Sequence, residues 1–147
     1  MIPRAALFLG LAGLLPFLWD VATVLSPTLA ALGLGWFGPR FVGPYVGLAY
    51  GTIILAFMSG VLWGFAVQAR ANAGLFYALS VIPALWAFFL VGGGPLQATY
   101  CLAVGFVGLL GLDWFFASQG LTPPWWMSLR VLLTTVVVAS LLVTVLI

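Results

Sequence analysis

Any chemistry in this chain must be done with very few groups. The ionisable side chains are four arginines (Arg4, Arg40, Arg70, Arg130) and two aspartates (Asp20, Asp113), with no lysine, glutamate or histidine. Without imidazole there is no histidine-ligated haem, copper or zinc, and no histidine base. The two carboxylates fall roughly a bilayer apart once the chain is laid out as helices, so they cannot act together as acid and base. Cys101 is the single cysteine, which excludes an intrachain disulfide and a multi-cysteine metal site. It lies in an apolar run and reads as a small packing residue. No glycine-rich strand-to-helix turn is present to hold a nucleotide. The expectation is a protein that is not an enzyme, with no catalytic, metal or cofactor residues; a bound lipid, quinone or pigment remains compatible with the sequence.

What is left is a short set of polar groups with two readings each. Asp20 can pair with Arg40 at one membrane face, and Asp113 with Arg130 or Arg70 at the other. Ionisable groups in spans are functional candidates, here an ion or proton site at each end. The plainer reading is two interfacial pairs that fix helix register, preferred because no carboxylate lies near the midplane to link the ends. Thr52, Ser59 and Trp63 fall within about 40° of one another around a helix and can line a polar strip for a solute. Interhelical hydrogen bonding, or bonding of Ser and Thr to their own backbone, uses the same residues and is commoner.

These groups sit in a chain that is 65% hydrophobic and 4% charged, with a mean hydropathy of +1.32. Soluble domains carry about 25% charged residues, so the solvent for this surface is lipid. A net charge of +2 without a clustered basic face does not suit a nucleic-acid partner. Trp19, Trp36, Trp114, Trp125 and Trp126 fall near span ends, where indoles anchor helices at the interface; Trp63 and Trp86 lie deeper and read as core.

The elements that must position the polar groups are about five transmembrane helices, an all-α membrane bundle forming one domain over residues 1–147. The spans are predicted at 3–25, 46–69, 75–91, 96–118 and 127–147, with an oily interfacial connector at 26–45. Arg4 and the apolar run after it resemble a signal sequence, but the run continues past Pro16 without a clear cleavage site, so a retained first span is expected. Pro16 and Pro83 should loosen the middles of the first and third spans. The 46–69 stretch carries Gly47/Gly51 on one side and Gly60/Gly64 with Ala56 on nearly the opposite side, which suits a helix packed on both flanks. Gly105, Gly108 and Gly111 form a second small-residue ridge. With Arg4, Arg70 and Arg130 inside and Arg40 outside, the arginine distribution places the N-terminus in the cytoplasm and the C-terminus in the periplasm.

Tyr50-Gly51, Ser59-Gly60 and Trp63-Gly64, followed by Leu112-Asp113, Gly120, Pro123-Pro124-Trp125-Trp126, Leu129-Arg130 and Leu133-Thr134, resemble the transmembrane-protein-69-like family. The likeness runs over most of the chain. It implies a helical bacterial or mitochondrial inner-membrane protein of about five spans, and it carries no assigned activity. The chain differs from the family pattern at Leu62 and Trp114, where a basic or polar residue is common. Together these features lead to the expectation of a non-enzymatic membrane subunit or assembly factor, packed against a larger respiratory or photosynthetic inner-membrane complex. The alternatives are a small carrier or channel for a neutral or hydrophobic molecule, and a lipid- or quinone-binding membrane protein.

Overall fold

The computed structural model describes residues 1–147 and is built of helices alone. Helices α1 (Arg4–Ala12) and α2 (Leu15–Leu25) are two halves of one rod. The joint falls just before Pro16, which has no N–H to give to the ladder and sits in the first turn of α2 instead. α3 (Pro27–Phe37) is a short apolar helix in the connector, capped by the Ser26 hydroxyl accepting from the Leu29 N–H at 3.3 Å. α4 (Tyr45–Ala66) follows. α5 (Ala73–Ser80) and α6 (Ile82–Leu90) form another broken rod, divided just before Pro83. α7 (Pro95–Ser118) and α8 (Trp126–Leu146) complete the chain. Counting each broken rod once, five helices are long and apolar enough to cross a bilayer.

The core runs along the seam between α4, α7 and α8, where Leu55, Leu62, Leu102, Phe106, Leu109, Phe116 and Leu141 lose nearly all contact with solvent. α4 packs against α2, α5, α6 and α7. Its first small-residue pair is used: a Cβ on Gly51 would stand 2.5 Å from Leu102, and one on Gly47 would stand 2.6 Å from Asp20. Its second pair is not used within this chain. Ala56, Gly60 and Gly64 are exposed, and a Cβ on either glycine would meet nothing within 4 Å. The expectation of a helix packed on both flanks is therefore corrected to one flank packed and one open. The α7 ridge divides in the same way. Gly105 is buried under Trp86, whose indole donates to the Cys101 carbonyl at 2.7 Å, while Gly108 and Gly111 have open space beside them.

α1 is the loosest element. None of its residues is buried, and it rests mainly on α8, where Gly10 lets it approach Leu129 and Leu133. The α7–α8 corner is the tightest. Gly120, at φ +72°, ends α7 with a left-handed turn in which the Leu121 N–H bonds the Phe116 carbonyl and the Gly120 N–H bonds that of Ala117. This pattern satisfies carbonyls that the helix end leaves free, and it needs a residue without a Cβ. Pro123 and Pro124 then prevent α7 from continuing, and the chain reverses into α8.

Candidate functional site: an ion pair beside a lateral hollow

The reversal at Gly120 brings the end of α7 against the start of α8. Asp113 lies five residues before the end of α7 and Arg130 four residues into α8, so each is about 6–8 Å inside its helix end. Asp113 is fully buried. Its Oδ2 accepts the Arg130 Nε–H at 2.7 Å, and its Oδ1 accepts the Trp126 indole N–H at 3.0 Å. Trp126 is held in turn edge-on to Phe65 of α4. Of the two arginines that the sequence offered to Asp113, the structure selects Arg130 and leaves Arg70 exposed in the α4–α5 turn.

This pair does not use all of its hydrogen-bonding capacity. The Arg130 side chain is 6% exposed, and its Nη2 has no partner. One turn further along α8, the buried Thr134 hydroxyl also has none. These are the two buried side-chain polar atoms of the chain left without a hydrogen bond, and they share a helix face. Both residues line the same hollow, about 410 Å³ in volume.

The rest of that hollow is apolar. The buried Phe17, Met58, Phe106 and Val137 form its floor, and the half-buried Tyr50 and Ile54 line it as well. Leu9, Ile53 and Phe57 also line it and are largely exposed, so they frame a sideways mouth between α1 and α4. The mouth exists because α1 leans on α8 and leaves the middle of α4 uncovered. In a bilayer such an opening faces acyl chains rather than water.

Asp20, at the far end of the bundle, is also buried but differently served. Its Oδ1 accepts the Gly47 N–H at 3.0 Å and its Oδ2 accepts the Thr144 hydroxyl at 2.9 Å. The expected pairing with Arg40 is not formed: Arg40 is exposed in a short 3-10 turn at residues 39–41, and Asp20 takes its bonds from a backbone amide and a distant hydroxyl instead. Gly47 is what permits this, since any side chain there would occupy the carboxylate's place. Next to it, Thr23 donates to the Asp20 carbonyl and accepts from the Gly43 N–H at 2.8 Å.

Thr52, Ser59 and Trp63 do not come together as a path. Thr52 donates to the Leu48 carbonyl of its own helix at 2.7 Å. Ser59 accepts the Ala84 N–H at 2.8 Å, which serves one of the free donors at the start of α6. Trp63 is half-exposed against Tyr77. These residues join helices and satisfy backbone. The hollow was missed from the sequence because its walls come from α1, α2, α4, α7 and α8 at no regular spacing; only the position of an arginine inside a span pointed toward it.

The comparisons agree with this architecture. Residues 2–146 match the family described as "Protein of unknown function (DUF3429)". Transmembrane protein 69 of Xenopus tropicalis is 35% identical over 144 residues, covering 95% of this chain and 53% of the relative. Transmembrane protein 69 of Mus musculus is 31% identical over 147 residues, covering 97% of this chain and 56% of the relative. The chain thus spans about half the length of the curated relatives it matches. No solved structure matches it. With five apolar spanning helices and a match that runs almost end to end, the chain belongs to the DUF3429 family of membrane proteins.

Proposed function

We propose that this protein is a non-enzymatic membrane protein that takes an apolar molecule from the bilayer and holds it in the hollow between α1, α4, α7 and α8. The observation that carries this reading is the coincidence of a bilayer-facing mouth with buried, unpartnered donors at Arg130 and Thr134. Ligand sites are concave and mostly apolar, with a few placed polar groups, and volumes of roughly 300–1,000 Å³ are usual. A proton or electron relay needs a chain of titratable groups, whereas the second carboxylate is at the other end of the bundle and bonded to neutral donors.

The test is native mass spectrometry of the full chain released from membrane vesicles in mild detergent. A retained lipid-like species of defined mass is expected. Substituting Ile54 and Val137 with Trp, to fill the hollow, should remove it without unfolding the bundle. A protein that carries no such species, and acquires none when membrane extract is added, would end this reading.

A second reading, an accessory subunit or assembly factor of a larger inner-membrane complex, has its own support. The exposed stripe of α4 comprises Ile53, Ala56, Phe57, Gly60, Trp63 and Gly64, and its small residues leave room for a neighbouring helix. Purification from native membranes as a lone monomer would count against it. In either case the arginine bias puts the N-terminus in the cytoplasm and the C-terminus outside. A periplasm-active reporter fused after Ile147 should be active, and a cytoplasmic readout would reverse the orientation.

A further inference from the structure

We infer that the ligand of the hollow is a neutral amphiphile with a carbonyl group, whose oxygen is bonded by Arg130 Nη2 and the Thr134 hydroxyl. This inference rests on the retention reading above and names its chemistry. The polar end of the hollow offers donors: a guanidinium has N–H groups and no acceptor, and a hydroxyl can donate one bond. Buried donors without partners are costly, and a single carbonyl oxygen with two lone pairs can satisfy both.

Charge decides between a neutral head and an anionic one. The Arg130 charge is already matched by Asp113 at 2.7 Å, and the site holds no second cation. A carboxylate or phosphate placed against Nη2 would make the buried cluster net negative in a low-dielectric medium, which is strongly unfavourable. A carbonyl takes the same bonds and adds no charge. A head that only donates, such as an ammonium, could use the Thr134 hydroxyl as acceptor but would leave Arg130 Nη2 unpartnered and set a second buried cation beside it. The apolar remainder of the hollow and its lateral mouth suit an acyl or prenyl tail leaving into the bilayer. Glycerolipid esters and membrane quinones both present this chemistry.

The test uses delipidated full-length protein in detergent and four probes: a diacylglycerol, a short-tailed benzoquinone, oleate and a long-chain alkane. Affinities are measured by native mass spectrometry, with equilibrium dialysis as a check. One or both carbonyl probes should bind more tightly than oleate and the alkane, and the stronger of the two identifies the source as ester or quinone. Thr134→Val keeps side-chain shape and removes one hydrogen bond, so it should weaken that probe about tenfold while leaving alkane binding unchanged. Arg130→Lys, which keeps a cation for Asp113 but withdraws the fork from the hollow, should weaken it further; because this variant can also disturb the fold, Thr134→Val is the deciding one. Oleate binding as well as the carbonyl probes, or Thr134→Val leaving their affinity unchanged, would overturn the inference while the retention reading stands. Failure of all four probes to bind would overturn both.

Discussion

Asp20 and Asp113 are the same side chain, each buried inside a helix bundle, yet the two ends of the molecule treat them differently. Asp20 is closed. Both its oxygens accept bonds, from the Gly47 amide and the Thr144 hydroxyl, and those donors tie α2 to α4 and α8. Asp113 is also fully bonded, but its chief partner is a guanidinium with more N–H groups than one carboxylate can take. The surplus faces a hollow. A buried acid held by neutral donors ends as a fastening, whereas one held by arginine passes unused capacity to whatever lies beyond it.

The sharpest break of this comparison is at Arg130. Arg130→Leu leaves Asp113 buried with only the Trp126 indole, and a broken buried pair costs about 3–5 kcal/mol. Thermal unfolding of the full chain in detergent should show that loss. Combining it with Asp113→Leu should recover most of it, since replacing both partners by apolar groups is often near neutral. Absence of recovery in the double variant would mean that Arg130 is held mainly by something other than Asp113.

Gly47→Ala tests the opposite end. The new methyl would stand 2.6 Å from the Asp20 carboxylate, on the side where the amide donates. Overpacking of this kind costs about 1–3 kcal/mol, and the carboxylate cannot retreat without releasing Thr144. The loss should be read against Gly108→Ala on α7, where a Cβ meets nothing and little change is expected. Equal behaviour of the two variants would mean that the Asp20 fastening contributes little.

These two sites also mark how far sequence reasoning reaches. The rods were legible because their ends are written in prolines, glycines and arginines, and Pro16 and Pro83 sit beside real breaks. That Asp113 would meet Arg130 or Arg70 was legible because both arginines fall at the same end of the bundle, but the choice of Arg130 was made only in the structure. The partners of Asp20 were not. One is a backbone amide, which every residue but proline carries, and the other is a hydroxyl 124 residues away. Glycine spacing showed that α4 has two small-residue flanks, but spacing cannot say which flank this chain fills. The hollow was illegible for a related reason: it depends on how loosely α1 lies, and looseness leaves no periodicity.

A conservative change separates the two aspartates more finely. In Asp20→Asn, the amide oxygen can still accept from Gly47, and the NH₂ can face Thr144, whose single hydroxyl proton can turn from residue 20 to the Ser140 carbonyl 3.1 Å away, leaving its oxygen to accept. The expected cost is about 1 kcal/mol or less. Asp113→Asn has no such escape, because both facing donors are fixed N–H groups and Arg130 loses its counter-charge. Its cost should approach that of Arg130→Leu. Unfolding midpoints that fall equally for the two asparagine variants would remove the distinction between a closed and an open acid.

The smallest expected effect concerns the flank of α4 that no helix of this chain covers. Gly60→Ala adds a methyl in open space, and alanine in a helix interior is favoured over glycine by roughly 0.5–1 kcal/mol. The isolated protein should therefore become slightly more stable, the reverse of Gly47→Ala. In native membranes the same methyl has the opposite meaning if a partner helix lies on Gly60 and Gly64, because close approach there depends on the missing Cβ. A variant that melts higher when purified yet loses a co-purifying subunit would assign this flank to an interface. One that melts higher and keeps every companion would leave it facing lipid, with α4 fastened at Gly47 and Gly51 alone.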